Sequence, residues 1–167
     1  MGVASDIVAT YRAPRRVVRR LLASGQREDR ALAVLMGACL LLFVAQWPVA
    51  ARAAYLEPDV PLEARLASAF LASMFILPLF AYAVAGISHL AARAFGGAGT
   101  FWRARIALFW ALLAAAPLQL LYGLVGGFIG PGAQLRFIGF VVFGIFILIW
   151  GAGLRVAEFE REGTDGG

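Results

Sequence analysis

The sequence predicts an all-α fold, a polytopic membrane bundle of four transmembrane helices with an N-terminal amphipathic interfacial helix. Three observations carry this. Apolar residues make up 62% of the 167 residues and the mean hydropathy is +0.81, whereas soluble domains are closer to about half apolar. The excess is gathered into four runs without an internal charge, each long enough for the roughly 20 residues that a membrane helix needs. The cations, all arginine, fall at the ends of those runs. The plan is residues 1–30 as a cytoplasmic arginine-rich amphipathic helix and linker, 31–154 as a four-span domain (31–50, 65–94, 103–128 and 135–154), and 155–167 as a cytoplasmic tail.

The first element covers residues 5–24. Ser5 can cap it, and Pro14 suits the first turn of a second segment, Pro14 to Ala23. At helical spacing Val17, Val18, Leu21 and Leu22 share an arc of about 140°, with Arg15, Arg16, Arg19 and Arg20 opposite. The pattern predicts a helix in the headgroup plane, apolar face toward lipid. Arg12, Arg15, Arg16, Arg19 and Arg20 would meet anionic headgroups, each worth about 1 kcal/mol. Docking onto a protein partner is the alternative. Gly25 ends the helix. This N-terminus does not read as a signal peptide, because the apolar run starts only near Ala31 and lacks a short core with a cleavage site. The start MGVASD misses a myristoylation signal, since Asp6 stands where Ser or Thr is required.

Span one ends near Trp47, an interfacial aromatic. Pro48 is expected to close its straight part, and Gln46 to reach water. Cys39 reads as a small buried hydrophobe. The loop Arg52 to Glu63 places Pro61 and Glu63 at the start of the next helix. Span two is longer than a bilayer crossing needs, so it tilts or kinks, and Pro78 offers the kink. Its lone His89 reads as an interfacial polar residue. The turn Phe95-Gly96-Gly97-Ala98-Gly99-Thr100 breaks the helix, and Thr100 is placed to cap the next one. Its spacing fits neither the P-loop nor the dinucleotide fingerprint, so a structural turn is favoured over a phosphate cradle. Span three carries Pro117 near its middle, then Gln119, free to bond a neighbouring helix or a carbonyl left by the proline. Gly123, Gly126, Gly127 and Gly130 offer small surfaces for close packing. Span four presents Phe137, Phe140, Phe143 and Phe146 as a broad lipid-facing or packing surface. The tail from Arg155 is expected to be short helix followed by disorder, its carboxylates solvated.

Arginines gather at one end of the bundle, and only Arg52, Arg65 and Arg136 belong to the other. The positive-inside rule then places both termini and the glycine turn in the cytoplasm. The two prolines fall at similar depths, which predicts that the kinks at Pro78 and Pro117 face each other or face span one or four, making a small cavity or flexible joint.

The chemistry of the sequence narrows the function classes. No span holds an internal Asp, Glu, Lys or Arg, which argues against an ion-coupled transporter or pump. One His and one Cys make no ordinary haem or zinc site, and no metalloprotease or Ser-His-Asp pattern occurs. The expectation is no enzyme and no cofactor. The basic balance of +5 sits beside apolar spans, so it points to anionic lipid rather than nucleic acid.

The string from His89 to Val125 resembles the Yip family of small multi-span membrane proteins. Bacterial members commonly show an apolar helix, a GG-x-G-[ST]-F turn and a span whose middle reads Ala-Pro. Gly96, Gly97, Gly99, Thr100, Phe101, Ala116 and Pro117 stand in those places. The resemblance covers the central third of the chain and marks Pro78, Gly96, Gly97, Gly99, Thr100 and Pro117 as a structural hairpin. Such domains typically have about five spans, against four here. In eukaryotes the family is associated with Rab GTPases and vesicle traffic. The compact arginine-rich chain looks bacterial, and the resemblance implies an inner-membrane scaffold binding lipid, another membrane protein or a second copy of itself. A small transporter or channel for a neutral or lipidic substrate is the second hypothesis.

Overall fold

A computed structural model describes residues 2–160, which form helices and, among the described residues, no strand. The order is α1 (Val3–Arg12), α2 (Pro14–Ala23), α3 (Glu28–Leu56), α4 (Leu62–Leu71), a π-helical turn (Ala72–Ile76), α5 (Leu77–Ala94), α6 (Phe101–Phe128) and α7 (Ala133–Phe159). Four units are long and apolar enough to cross a membrane: α3, the continuous stretch from α4 to α5, α6 and α7. What was expected of residues 161–167 lies outside the described residues.

Helix α6 is the centre. Half of its apolar stretch is buried, against about a fifth of each of the others. Six of its fourteen buried positions are alanine, between Ala104 and Ala116, and two more are Gly123 and Gly126, which lets neighbouring backbones come close. Helix α3 runs parallel to it in steady register, with Glu28 beside Arg105, Ala45 beside Gly123 and Arg52 beside Gly127. A Cβ on Gly123 would overlap the Ala45 carbonyl oxygen, so the two backbones touch there. Helix α7 runs antiparallel to α6, with Gly153 against Ala107 and Gly139 against Tyr122. Helix α5 packs on the first half of α6 through Tyr82 and Phe109, whose rings meet edge to face at 5.1 Å. Phe137, Phe140 and Phe143 are exposed on α7, as an outward lipid face requires.

Several local expectations change. Helix α3 passes through Pro48 and runs on to Leu56. Arg52 helps hold this extension by donating from Nη1 to the carbonyls of Gly127 (3.3 Å) and Phe128 (3.4 Å). Span two accommodates Pro78 with the π-turn just before it, where the Leu77 N–H reaches back to the Ala72 carbonyl. Proline removes a donor from the ladder, and a wider turn next to it lets the remaining groups pair. Pro117 is exposed on the outside of an unbroken α6. Pro117 therefore faces away from the other spans, and neither it nor Pro78 lines a space between them.

At the N-terminus Pro14 opens α2 as expected, and Gly25 takes the left-handed conformation at its end. Ser5 is not a cap, because it lies inside α1 and donates to the Gly2 carbonyl at 2.7 Å. The larger change concerns the apolar face. Val17, Val18, Leu21 and Leu22 are buried against the bundle, joining a core with Ile106, Ala107 and Val156. The face expected to meet lipid meets the protein's own α6 and α7. Helix α1 folds back beside α2 and is pinned to α6. Trp110 Nε1 donates to Thr10 Oγ1 (3.0 Å), and the Tyr11 hydroxyl donates to the Ala114 carbonyl (2.5 Å).

Candidate functional site

Two places combine polar side chains with space. The first is at the arginine-rich end, around the glycine turn. Gly96 has φ +85°, a conformation that favours glycine, and Gly97 donates to the Ala92 carbonyl (2.8 Å), closing α5. Thr100 caps α6, its hydroxyl oxygen accepting from the Arg103 N–H at 3.4 Å. Gly99 lies so close to the end of α7 that a Cβ would overlap the Ala157 carbonyl. That contact lets Ala98 donate to the Glu158 carbonyl at 2.8 Å. The last carbonyls of a helix lack partners within it. Arg103 supplies several of them, donating to Ala157 (2.8 Å), Val156 (3.0 Å) and Glu160 (3.2 Å). The glycine turn is thus a cap for α7 as well as a reversal between α5 and α6.

Behind the turn, His89 Nδ1 lies 2.7 Å from Glu158 Oε1, and the Glu158 side chain is wholly buried. This corrects the reading of the tail carboxylates as solvated for Glu158, since α7 runs on to Phe159 and carries it under the turn, while the Glu160 side chain stays partly exposed. It also gives His89 a partner. The pair joins α5 to α7, as Arg105 with Glu28 (2.6 Å) joins α6 to α3. The Arg105 guanidinium also sits 4.8 Å from the Phe101 ring centre, so the aromatic of the turn motif packs under a cation. No group of three or more His, Cys, Asp or Glu side chains that could hold a metal occurs among the described residues.

The arginines of the N-terminal pair divide. Arg19 bonds Glu160 at 2.7 Å, and Arg20 pairs with Asp6. Arg12, Arg15 and Arg16 are exposed, and among the described residues none has an ion-pair partner.

The second place is a cavity of about 1000 Å³ near the opposite end, bounded by all four spans. It exists because α4 and the π-turn lean on α3 while α7 leans on α6, leaving a cleft between spans two and four. Ile76 and Phe80 from span two and Phe143 from span four line it and are more than half exposed. The mouth therefore opens sideways rather than only along the bundle axis.

The walls are mostly apolar, with one polar belt. Gln46 Nε2 donates to Ser73 Oγ at 3.0 Å, and Ser73 is buried on the π-turn. Gln46 thus bonds a neighbouring span instead of water. Gln119 and Tyr122 also face the cavity, and among the described residues neither the amide nor the phenol has a hydrogen-bond partner. The freed carbonyl near Pro117 is not what Gln119 bonds. Arg65 stands at the rim, its guanidinium occupied by the Glu57 carboxylate (3.1 Å) and the carbonyls of Glu57 and Val60. Sequence reasoning noticed Gln46 and Gln119 singly. It missed that they share a cavity with Ser73 and Tyr122, because the pairing depends on helix order and on the π-turn.

Residues 8–160 match the family model of the Yip1 domain. The chain belongs to the Yip1 domain family. Comparison with curated proteins and with solved structures gave no match. The Yip1 domain reaches well beyond the central third that carries the turn motif. It begins inside α1 and ends just after α7, so most of the N-terminal pair falls within it. The motif residues have separate tasks in this Yip1 domain: Gly96 and Gly97 close α5, Gly99 admits α7, Thr100 caps α6, and Phe101 packs against His89 at 6.1 Å between ring centres.

Proposed function

We propose that the protein is a non-enzymatic scaffold of a bacterial inner membrane, holding another membrane component in the cleft between spans two and four. The observation that carries this is the sideways opening of a cavity of about 1000 Å³ at the level of the apolar spans. A hollow of that kind, rimmed by exposed Ile76, Phe80 and Phe143, is filled in a bilayer by whatever lies beside it. The positive-inside rule orients the arginine-rich end, with the N-terminal helices and the glycine turn, toward the cytoplasm. Arg12, Arg15 and Arg16 then face anionic headgroups, while the apolar face of α2 anchors the pair to the bundle. No nucleic-acid role is needed for these cations.

The test is purification of the full chain in mild detergent, with bound lipid and protein identified by mass spectrometry. A stoichiometric companion is expected with the wild type and lost in Ala69→Trp, which fills the cleft from α4. A wild type carrying nothing that this variant lacks would overturn the reading. A second reading, a small transporter for a neutral or lipidic substrate, is favoured by the π-turn, a break in helical regularity on the cavity wall. Flux of such a solute in liposomes would separate the two.

A further inference from the structure

Gln119 and Tyr122 pose a specific problem. A polar group at hydrocarbon depth must find a partner, since no bulk water is there to supply one. Gln119 lies nine residues before the end of α6, about 14 Å along the helix, well below the outer rim. Its amide and the Tyr122 phenol face the cavity, and among the described residues neither has a hydrogen-bond partner. Gln46 and Ser73 complete the belt and already bond each other.

We infer that the cleft binds an uncharged lipid, its hydroxyl or ester oxygens hydrogen-bonded to Gln119 and Tyr122 and its chain lying among Leu77, Phe80 and Phe146. This rests on the cleft-binding reading above and names the occupant. The belt fits such a group chemically. The Gln119 amide both donates and accepts, and so does a phenol, which matches a hydroxyl or an ester. No ionised side chain belongs to the belt, so a charged headgroup drawn to its level would be buried without a counter-ion. Among the described residues the cation on the cavity wall is Arg65, which is tied to Glu57 and two carbonyls and does not offer a phosphate site. Below the belt the wall turns apolar, with Leu77, Phe80, Leu112 and Phe146, as a hydrocarbon chain requires. The mouth between spans two and four lets the lipid enter from the bilayer without crossing the protein.

The test uses the purified full chain in liposomes with a photoactivatable diacylglycerol carrying its reactive group on a chain. Labelling is expected at the cleft, between Ile76 and Phe80 and near Phe143. Unlabelled diacylglycerol should compete, and phosphatidylglycerol at equal concentration should not. The double variant Gln119→Leu, Tyr122→Phe should lower cleft labelling about five-fold or more, as the loss of one or two hydrogen bonds predicts. Competition is read on the wild type alone and decides even if the double variant folds poorly. Equal competition by phosphatidylglycerol, or undiminished labelling of a folded double variant, would overturn the lipid assignment while leaving the cleft a binding site. So would a protein segment found cross-linked in the cleft. Absence of any cleft labelling, together with an Ala69→Trp variant that loses no companion, would sink the scaffold reading itself.

Discussion

The contact between α3 and α6 makes a prediction with opposite signs at two glycines. Gly123 and Gly144 both lie inside long apolar helices. A helical glycine replaced by alanine gains roughly 0.5–1 kcal/mol if space is free. At Gly144 nothing lies within 4 Å of the new Cβ, so Gly144→Ala should stabilise by about that amount. At Gly123 the obstacle is the Ala45 carbonyl oxygen, a backbone atom with no rotamer to change. Overpacking costs about 1–3 kcal/mol, and a main-chain obstacle belongs at the upper end. Subtracting the helical gain leaves a net loss of about 2 kcal/mol for Gly123→Ala. For a chain of this size about 2–4 °C accompanies each kcal/mol, so the melting temperature in detergent should fall by about 4–8 °C. Gly144→Ala should rise by a few degrees at most. Thermal melts of the two variants beside wild type are sufficient. If Gly123→Ala melted at or above wild type, the close register of α3 on α6 would be wrong.

Other expectations follow from the arginine-rich end. Thr100→Ala should cost about 1 kcal/mol by removing the α6 cap, with Thr100→Ser close to wild type; amide exchange at Arg103 would report it. His89→Ala leaves Glu158 buried without its partner and should cost about 3–5 kcal/mol, a loss that His89→Ala combined with Glu158→Gln should largely recover in a melting experiment. Thr10→Val removes the acceptor for Trp110 and should loosen α1 by about 1 kcal/mol, seen as faster proteolysis near Gln26. Replacing Arg12, Arg15 and Arg16 with Gln should weaken the association of the full protein with anionic lipid, measured as the retention of phosphatidylglycerol in detergent. Unchanged retention would remove those residues from the lipid surface.

Much of this architecture was legible in the chain, because a membrane helix announces itself by local composition. The four apolar runs, the glycine turn, the Thr100 cap and Pro14 at the start of α2 all depend on residues near in sequence. The ends of the spans were less legible. Arg52 looks like a loop residue until the carbonyls of Gly127 and Phe128 are brought to it. Glu158 looks like part of a solvated tail until α5 delivers His89. The amphipathic face of α2 was read correctly as a face but not for its occupant, since hydrophobic periodicity cannot tell lipid from protein. The cavity was the least accessible. It depends on which helices lean together, and neither Pro78 nor Pro117 is in its lining.

Helix α6 is the most enclosed span, yet it is the third to leave the ribosome. Until it arrives, α3 has no parallel neighbour, and the two can meet only after the intervening span has crossed and turned back. The surface of α3 around Ala45 must therefore wait in lipid, small and apolar enough to do so without harm. Around Ala45 and Gly123 the sequence meets that demand with small apolar residues, and the polar contacts of Glu28 and Arg52 stand at the two ends of the seam. Insertion thus proceeds as two separate steps, spans first and seam second, and the seam closes only when the chain has supplied its own central post.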